Sequence, residues 1–394
     1  MSVDCITSNI WKLYLHRAIG YFLVIMPIIT IFYQKNGLSM QDIFMIQSVF
    51  SISLVLFEIP TGYFSDVYGR KGTMILGTIF GIFWLGIYCL ASGFWWFLLA
   101  ELTLGLGASF LSGTNAALLY DTLIQLGKVD EHKKISGRMQ AIGWASEALA
   151  SLLGGFLAVV SLRTPFYVQF CLLFFSLWLV LSLIEPDRHK HDNAEWAWKG
   201  MRKIVQYSLT HHEIPWIILF TGTLGASTYV MTWISQSYLQ FVGVPLVYFG
   251  VIWATLNLSL AFFSLFAHDI EVFLGRKWSL ILLASLPILG YFWLASTASI
   301  FGIGLLFLFY FARAFGIIVL NDYVNRTLPS DIRATVLSIQ SLSWRAVFAL
   351  LGPIIGWTSD VYSLPFALWA SGIIFLCLFL TSLFFLARNR ILDV

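Results

Sequence analysis

The chain has 394 residues, of which 59% are hydrophobic and 11% charged, and its mean hydropathy is +0.83. A soluble domain runs at roughly 45–50% apolar and about 25% charged, so a soluble globular protein, a disordered chain and a secreted disulfide scaffold are excluded. A net charge of +3 gives no footing for nucleic-acid binding.

A membrane-crossing helix needs about 20 apolar residues, and charges and turn residues cut the chain into twelve such stretches. The first six are expected at 11–33, 40–63, 72–91, 94–119, 138–160 and 165–184. The first run carries Lys12 and Arg17 and is too long for a signal core, so it reads as span 1. A polar stretch at 185–213 follows, with a short amphipathic helix expected around Trp196–Tyr207. The second six spans are expected at 214–234, 246–267, 278–296, 299–321, 333–358 and 364–386. Connections as short as Ser92-Gly93 make neighbouring helices antiparallel.

Lysine and arginine set the orientation. Arg70, Lys71, Lys128, Lys133, Lys134, Arg138, Arg276, Lys277, Arg326, Arg333, Arg388 and Arg390 fall on one side, with the basic residues of 185–213. Lys35 and Arg163 alone fall on the other. Both termini and the linker are therefore expected in the cytoplasm of a cell bounded by this plasma membrane, a bacterial inner membrane. A cysteine placed at Lys199 is expected to resist an impermeant maleimide in intact cells. Labelling from outside would invert the topology.

The two halves echo each other. GRK occurs at 69–71 and 275–277, Asp121 ends span 4 as Asp322 ends span 10, and LLGG at 152–155 answers LLGP at 350–353. The expected organisation is a bundle at 1–184, a linker at 185–213 and a bundle at 214–394, as parallel six-span repeats. Cys5, Cys89, Cys171 and Cys377 are scattered, in neither a metal-ligand nor a disulfide pattern, and read as packing residues. No P-loop and no H-E-x-x-H is present, so no enzyme, cofactor or metal is expected.

Between spans 2 and 3 the chain reads GYFSDVYGRK, residues 62–71. With Gly62, Asp66, Gly69, Arg70 and Lys71 in place, this resembles the signature loop of the major facilitator superfamily. The resemblance covers essentially the whole chain. It implies an all-α fold of twelve transmembrane helices in two six-helix bundles, moving a small solute by alternating access. Glycines let helix ends approach, and Asp66 can accept hydrogen bonds or pair with an arginine. These residues, with Asp121, are the expected conformational gate. Two features depart from the family's proton-coupled drug exporters. Glu101, in ELTLGLGA, stands where they carry an arginine, and span 5 reads ASLLGG at 150–155, without the first glycine and the proline. GPIIG occurs instead at 352–356 in span 11.

An ionisable side chain inside a span costs roughly 2.5–3.5 kcal/mol on insertion scales and marks a partner, a cavity or a function. Glu147, about nine residues into span 5, is expected near mid-depth with Arg345 as its repeat equivalent. Glu147, then Glu101 and Glu58, are the candidates for proton coupling. Span 4 carries a small and polar stripe, Glu101, Gly105, Ala108, Ser112 and Asn115, which the resemblance places on the central cavity. Arg313 in span 10 is expected to face that cavity, and Tyr229, Trp233 and Gln236 form one face of span 7. Glu101, Asn115, Tyr229, Trp233, Gln236, Arg313 and Arg345 are the candidate solute-binding residues. Arg17 and Glu58 are expected to pair as a cytoplasmic latch. An aromatic cavity with few fixed charges suits an amphipathic solute.

The leading expectation is proton-driven efflux of a drug or a self-made metabolite such as a siderophore, by a monomer in the lipid bilayer whose partners are the solute and protons. A proton-coupled importer of a small polar nutrient is the alternative, and a non-transporting membrane sensor the third.

Overall fold

The computed structural model describes residues 3–187, 211–297, 299–327 and 330–389. The amphipathic segment expected at Trp196–Tyr207 and the labelling position Lys199 lie outside them. Without water to satisfy its backbone, a chain in lipid must bond internally, and the described residues form helices and no strand. They are α1 (Val3–Gly20), α2 (Ile29–Lys35), α3 (Met40–Tyr68), α4 (Arg70–Leu90), α5 (Phe94–Leu111), α6 (Thr114–Gln125) and α7 (His132–Val160). They continue as α8 (Thr164–Leu181), α9 (Ile214–Phe241), α10 (Val247–Ser296), α11 (Ile303–Thr327), α12 (Ser330–Val361) and α13 (Leu364–Arg388).

Among the described residues, ten helical stretches are long and apolar enough to cross a membrane. The 50-residue α10 breaks at Gly275, where φ is 70°, and so holds two spans. Counting it twice, and the interrupted run from α1 to α2 as one span, brings these ten to twelve. Span 1 is interrupted because Pro27 offers no N–H and leads only a single 3-10 turn, Met26–Ile28. Span 4 also breaks. Gly113 at φ 73° separates α5 from α6, a conformation that other residues rarely adopt.

The described chain divides into two compact units. The first holds 3–37, 49–187 and 246–254, and the second 38–48, 211–245 and 255–389. In the first, α4 packs on α5 and α8, and α1 packs on α7 and α8. An aromatic box closes one end, with Phe32 on Phe166 at 4.2 Å and Tyr88 on Phe97 at 4.9 Å between ring centroids. In the second unit α9 is central, packed by α11, α12 and α13. There the Asp360 carboxylate also accepts the backbone N–H groups of Met40 and Gln41 at 2.9 and 2.7 Å.

Candidate functional site

Each unit, taken by itself, carries a cavity. That of the second unit is about 340 Å³ and is walled by three stripes at helical spacing. The α9 stripe is Thr221, Leu224, Gly225, Thr228 and Tyr229, and the α11 stripe is Arg313, Gly316, Ile317, Leu320 and Asn321. Leu337, Gln340, Ser341 and Trp344 of α12 complete it. Tyr229 packs edge-on to Trp344 at 5.1 Å and to Phe348 at 4.6 Å. Gln340 is 3% exposed, and its Nε2 donates to Thr221 Oγ1 at 3.0 Å. The guanidinium of Arg313 makes no hydrogen bond or ion pair with any described residue.

The cavity of the first unit is about 560 Å³, lined among others by His16, Arg17, Tyr21, Ser112, Asn115 and Gln140. Arg17 donates through Nη2 to the Gln140 amide oxygen and lies 4.0 Å above the Tyr21 ring. His16 Nδ1 is 2.9 Å from Ser176 Oγ. The expected latch between Arg17 and Glu58 does not form. Gln140 on α7 takes the arginine, while Glu58 accepts from Ser112 Oγ at 3.2 Å.

The span 4 stripe is divided rather than shared. Ala108, Ser112 and Asn115 line the first unit's cavity. Gly105 instead lies against Ser53 of α3, where a Cβ would have no room. Glu101 lines neither cavity. It is 1% exposed inside the aromatic box, and its Oε1 accepts the hydroxyls of Tyr88 at 2.6 Å and Tyr33 at 3.2 Å. An acid that far into apolar surroundings is held where hydroxyls reach it, and Tyr33 and Tyr88 fix that place.

Of the other sequence-predicted residues, Tyr229 and Arg313 face the second unit's cavity. Trp233 and Gln236, further along α9, are buried and outside its lining. Arg345 also lies outside that lining and stacks over the Trp344 ring at 4.3 Å. Glu147 sits half-buried at the middle of α7, and its carbonyl accepts from Ser151 Oγ at 2.7 Å. Sequence reasoning missed Trp344, Gln340 and Asn321. The spacing of 337, 340, 341 and 344 carried the signal, since it repeats the stripe seen on span 7.

The signature loop is a compact charge cluster. Arg70 pairs with Asp66 at 2.6 Å and with Asp121 at 3.3 Å. Its Nη1 also donates to Ser65 Oγ at 2.9 Å. Glu185, which the sequence places at the edge of the linker, accepts the backbone N–H groups of Arg70 and Lys71 at 2.7 and 2.6 Å. It caps the first turn of α4, where a carboxylate meets the positive end of the helix dipole. Gly69 makes room for it. At φ 114° a Cβ there would stand 2.9 Å from the Glu185 carboxylate. In the second unit the copy of the loop is thinner, with Arg276 3.8 Å from Glu213 and 4.9 Å above the Tyr323 ring. Just outside that membrane end, burial and the neighbouring His212 lower the affinity of His211 for a proton.

Asp66 is half exposed, so its pair with Arg70 contributes little to folding, roughly 0–1 kcal/mol. Asp66→Asn is therefore expected to express and melt like the parent while its turnover falls severalfold. Unchanged transport by a well-expressed variant would reduce the loop to a topology signal.

Residues 14–353 match the sequence profile of the Major Facilitator Superfamily. Quinolone resistance protein NorA of Staphylococcus aureus (strain N315) is 24% identical over 201 residues, 51% of this chain and 49% of that protein. The match thus spans about half the length of that relative. An uncharacterised MFS-type transporter of Methanocaldococcus jannaschii is 27% identical over 149 residues, 37% of each chain. Among solved structures, a mutant of the nucleoside transporter NupG superposes with a TM-score of 0.81 at 16% identity, covering 96% of this chain and 99% of that one. A D-xylose-proton symporter superposes with a TM-score of 0.68 at 15% identity, covering 97% of each. At those identities the likeness is one of fold.

Proposed function

The chain belongs to the major facilitator superfamily, is a multi-pass membrane transporter rather than an enzyme, and from that premise we propose that it exports a small amphipathic solute in exchange for protons. The observation that carries this reading is the second unit's cavity. Aromatic walls from Tyr229 and Trp344 stand beside the polar side chains of Arg313, Asn321 and Gln340. Apolar walls with a few convergent polar groups are what a small-molecule site requires. Its volume of about 340 Å³ admits a one- or two-ring solute. The partial likeness to NorA, a quinolone resistance protein, supports export. Glu147, at mid-helix in α7, is the proposed proton carrier, and the signature loop with Asp121 the proposed gate.

Import with a proton is the second reading. The span 5 segment ASLLGG, without the exporters' first glycine and proline, favours it.

Inside-out vesicles with an acidic lumen separate the two. An exporter that exchanges solute for protons loads them with a fluorescent aromatic amphipath and stops when a protonophore is added. A symporter empties them. Flux indifferent to the pH gradient would sink proton coupling in either direction.

A further inference from the structure

Arg313 lies near the middle of α11, on the second unit's cavity, with its guanidinium bonded to no described residue. An arginine is charged at every accessible pH and presents five donors in a rigid fork. Held at bilayer depth without an anion, it is expensive, and such residues mark solute or ion pathways. Among the described residues, no Asp or Glu lines this cavity. Asn321, two turns along the same stripe, also makes no side-chain hydrogen bond to a described residue.

Gln340 adds an independent sign that the lining is incomplete. Its Nε2 donates to Thr221, whose own hydroxyl donates onward to the Ile217 carbonyl at 2.8 Å. That chain fixes the amide's orientation and leaves Oε1 buried without a donor. The lining thus offers unused donors and one unused acceptor. The first unit's cavity, considered alone, has the same sign. Arg17 and His16 line it without a carboxylate, and Arg17 Nε has no acceptor.

We propose that the solute is an amphipathic organic anion, an aromatic body bearing one carboxylate or phosphate that Arg313 receives. The inference rests on the transporter reading above and specifies the charge of its solute. The oxyanion supplies the countercharge that no described side chain provides, in a setting where an arginine–oxyanion pair is strongest. Tyr229 and Trp344 wall the aromatic body, and Asn321 offers a further donor two turns along the lining. A cationic solute would instead meet an uncompensated guanidinium.

Equilibrium dialysis against the full chain in nanodiscs tests this with four matched probes. They are 2-naphthylacetate, 2-naphthyl phosphate, 2-naphthylacetamide and 2-(2-naphthyl)ethylammonium. At least one anion is expected to bind tighter than the amide by roughly tenfold or more, with the ammonium weakest. Whichever anion leads identifies the acid group. Arg313→Gln is expected to erase the anion preference and keep amide binding. Arg313→Lys keeps the charge, so it retains part of the preference even if the glutamine variant fails to fold. Ammonium binding as tight as that of the anions, or no binding by any probe, overturns the proposal. The measurement needs no gradient. Anion preference without pH-driven flux would therefore sink the proton-coupled reading alone, and ammonium preference with intact flux would sink this inference alone.

Discussion

Glu147→Gln is expected to abolish gradient-driven accumulation while leaving solute counterflow near the parent rate. One unit of pH gradient is worth about 1.4 kcal/mol per proton, which supports roughly tenfold accumulation for one-to-one exchange. In the variant that ratio is expected to fall to one. Glu147 stands at the middle of the 29-residue α7, half-buried, where solvation depends on what packs around the helix. A carboxylate there ionises when solvated or near a cation and takes a proton when desolvated. Glutamine reproduces the neutral form in shape and hydrogen bonding, so the empty and loaded carrier still exchange. It cannot release a proton, so exchange no longer does work. Reconstituted protein with an imposed pH gradient, assayed beside solute counterflow, checks both halves. A tenfold ratio retained in Glu147→Gln would place the proton site elsewhere, with Glu101 next to be tested.

Glu101→Ala is expected to unfold the first unit's aromatic box. Both the Tyr33 and Tyr88 hydroxyls end on Glu101 Oε1, and they lie 2.6 Å from each other. Each of these hydrogen bonds is worth about 1 kcal/mol, and with Glu101 gone the two hydroxyls can bond only each other, so one loses its acceptor. With the cavity the truncation leaves, a loss of about 2–4 kcal/mol follows. In a thermal melt that is a drop of about 5 °C or more. Glu101→Gln keeps an acceptor oxygen and is expected to lose much less. An alanine variant that melts with the parent would show that the carboxylate is not an anchor.

The spans were legible in the sequence because lipid leaves a chain one solution, a helix of about 20 apolar residues. The breaks at Pro27 and Gly113 were less legible. A proline or glycine in a membrane helix is tolerated often, and only φ values decide whether the helix stops. Arg313 and Tyr229 were found because a charge or a polar aromatic in an apolar run stands out. Gln340 and Asn321 were missed because uncharged amides do not, and their meaning comes from which bonds they lack. Glu101 was misplaced because helical spacing gives a face and not what covers it. Tyr33 and Tyr88, 68 and 13 residues away, cover that face. Glu185 was hidden for a similar reason. Its partners are backbone N–H groups more than a hundred residues earlier, and they leave no trace in composition.

The first span has a consequence for how the chain is made. Several of its polar side chains bond later parts of the same unit. Asn9 bonds Thr122 and the Ile184 carbonyl, Lys12 the Ser182 carbonyl, His16 Ser176, and Arg17 Gln140. This span is also broken, into α1, a single 3-10 turn and α2. At about 10 residues per second, those partners leave the ribosome roughly 10–20 seconds after it does. Until then the nascent span must keep Lys12 and Arg17 near the headgroups or in the insertion machinery. Its final seating, and with it the first unit's cavity, waits for span 6.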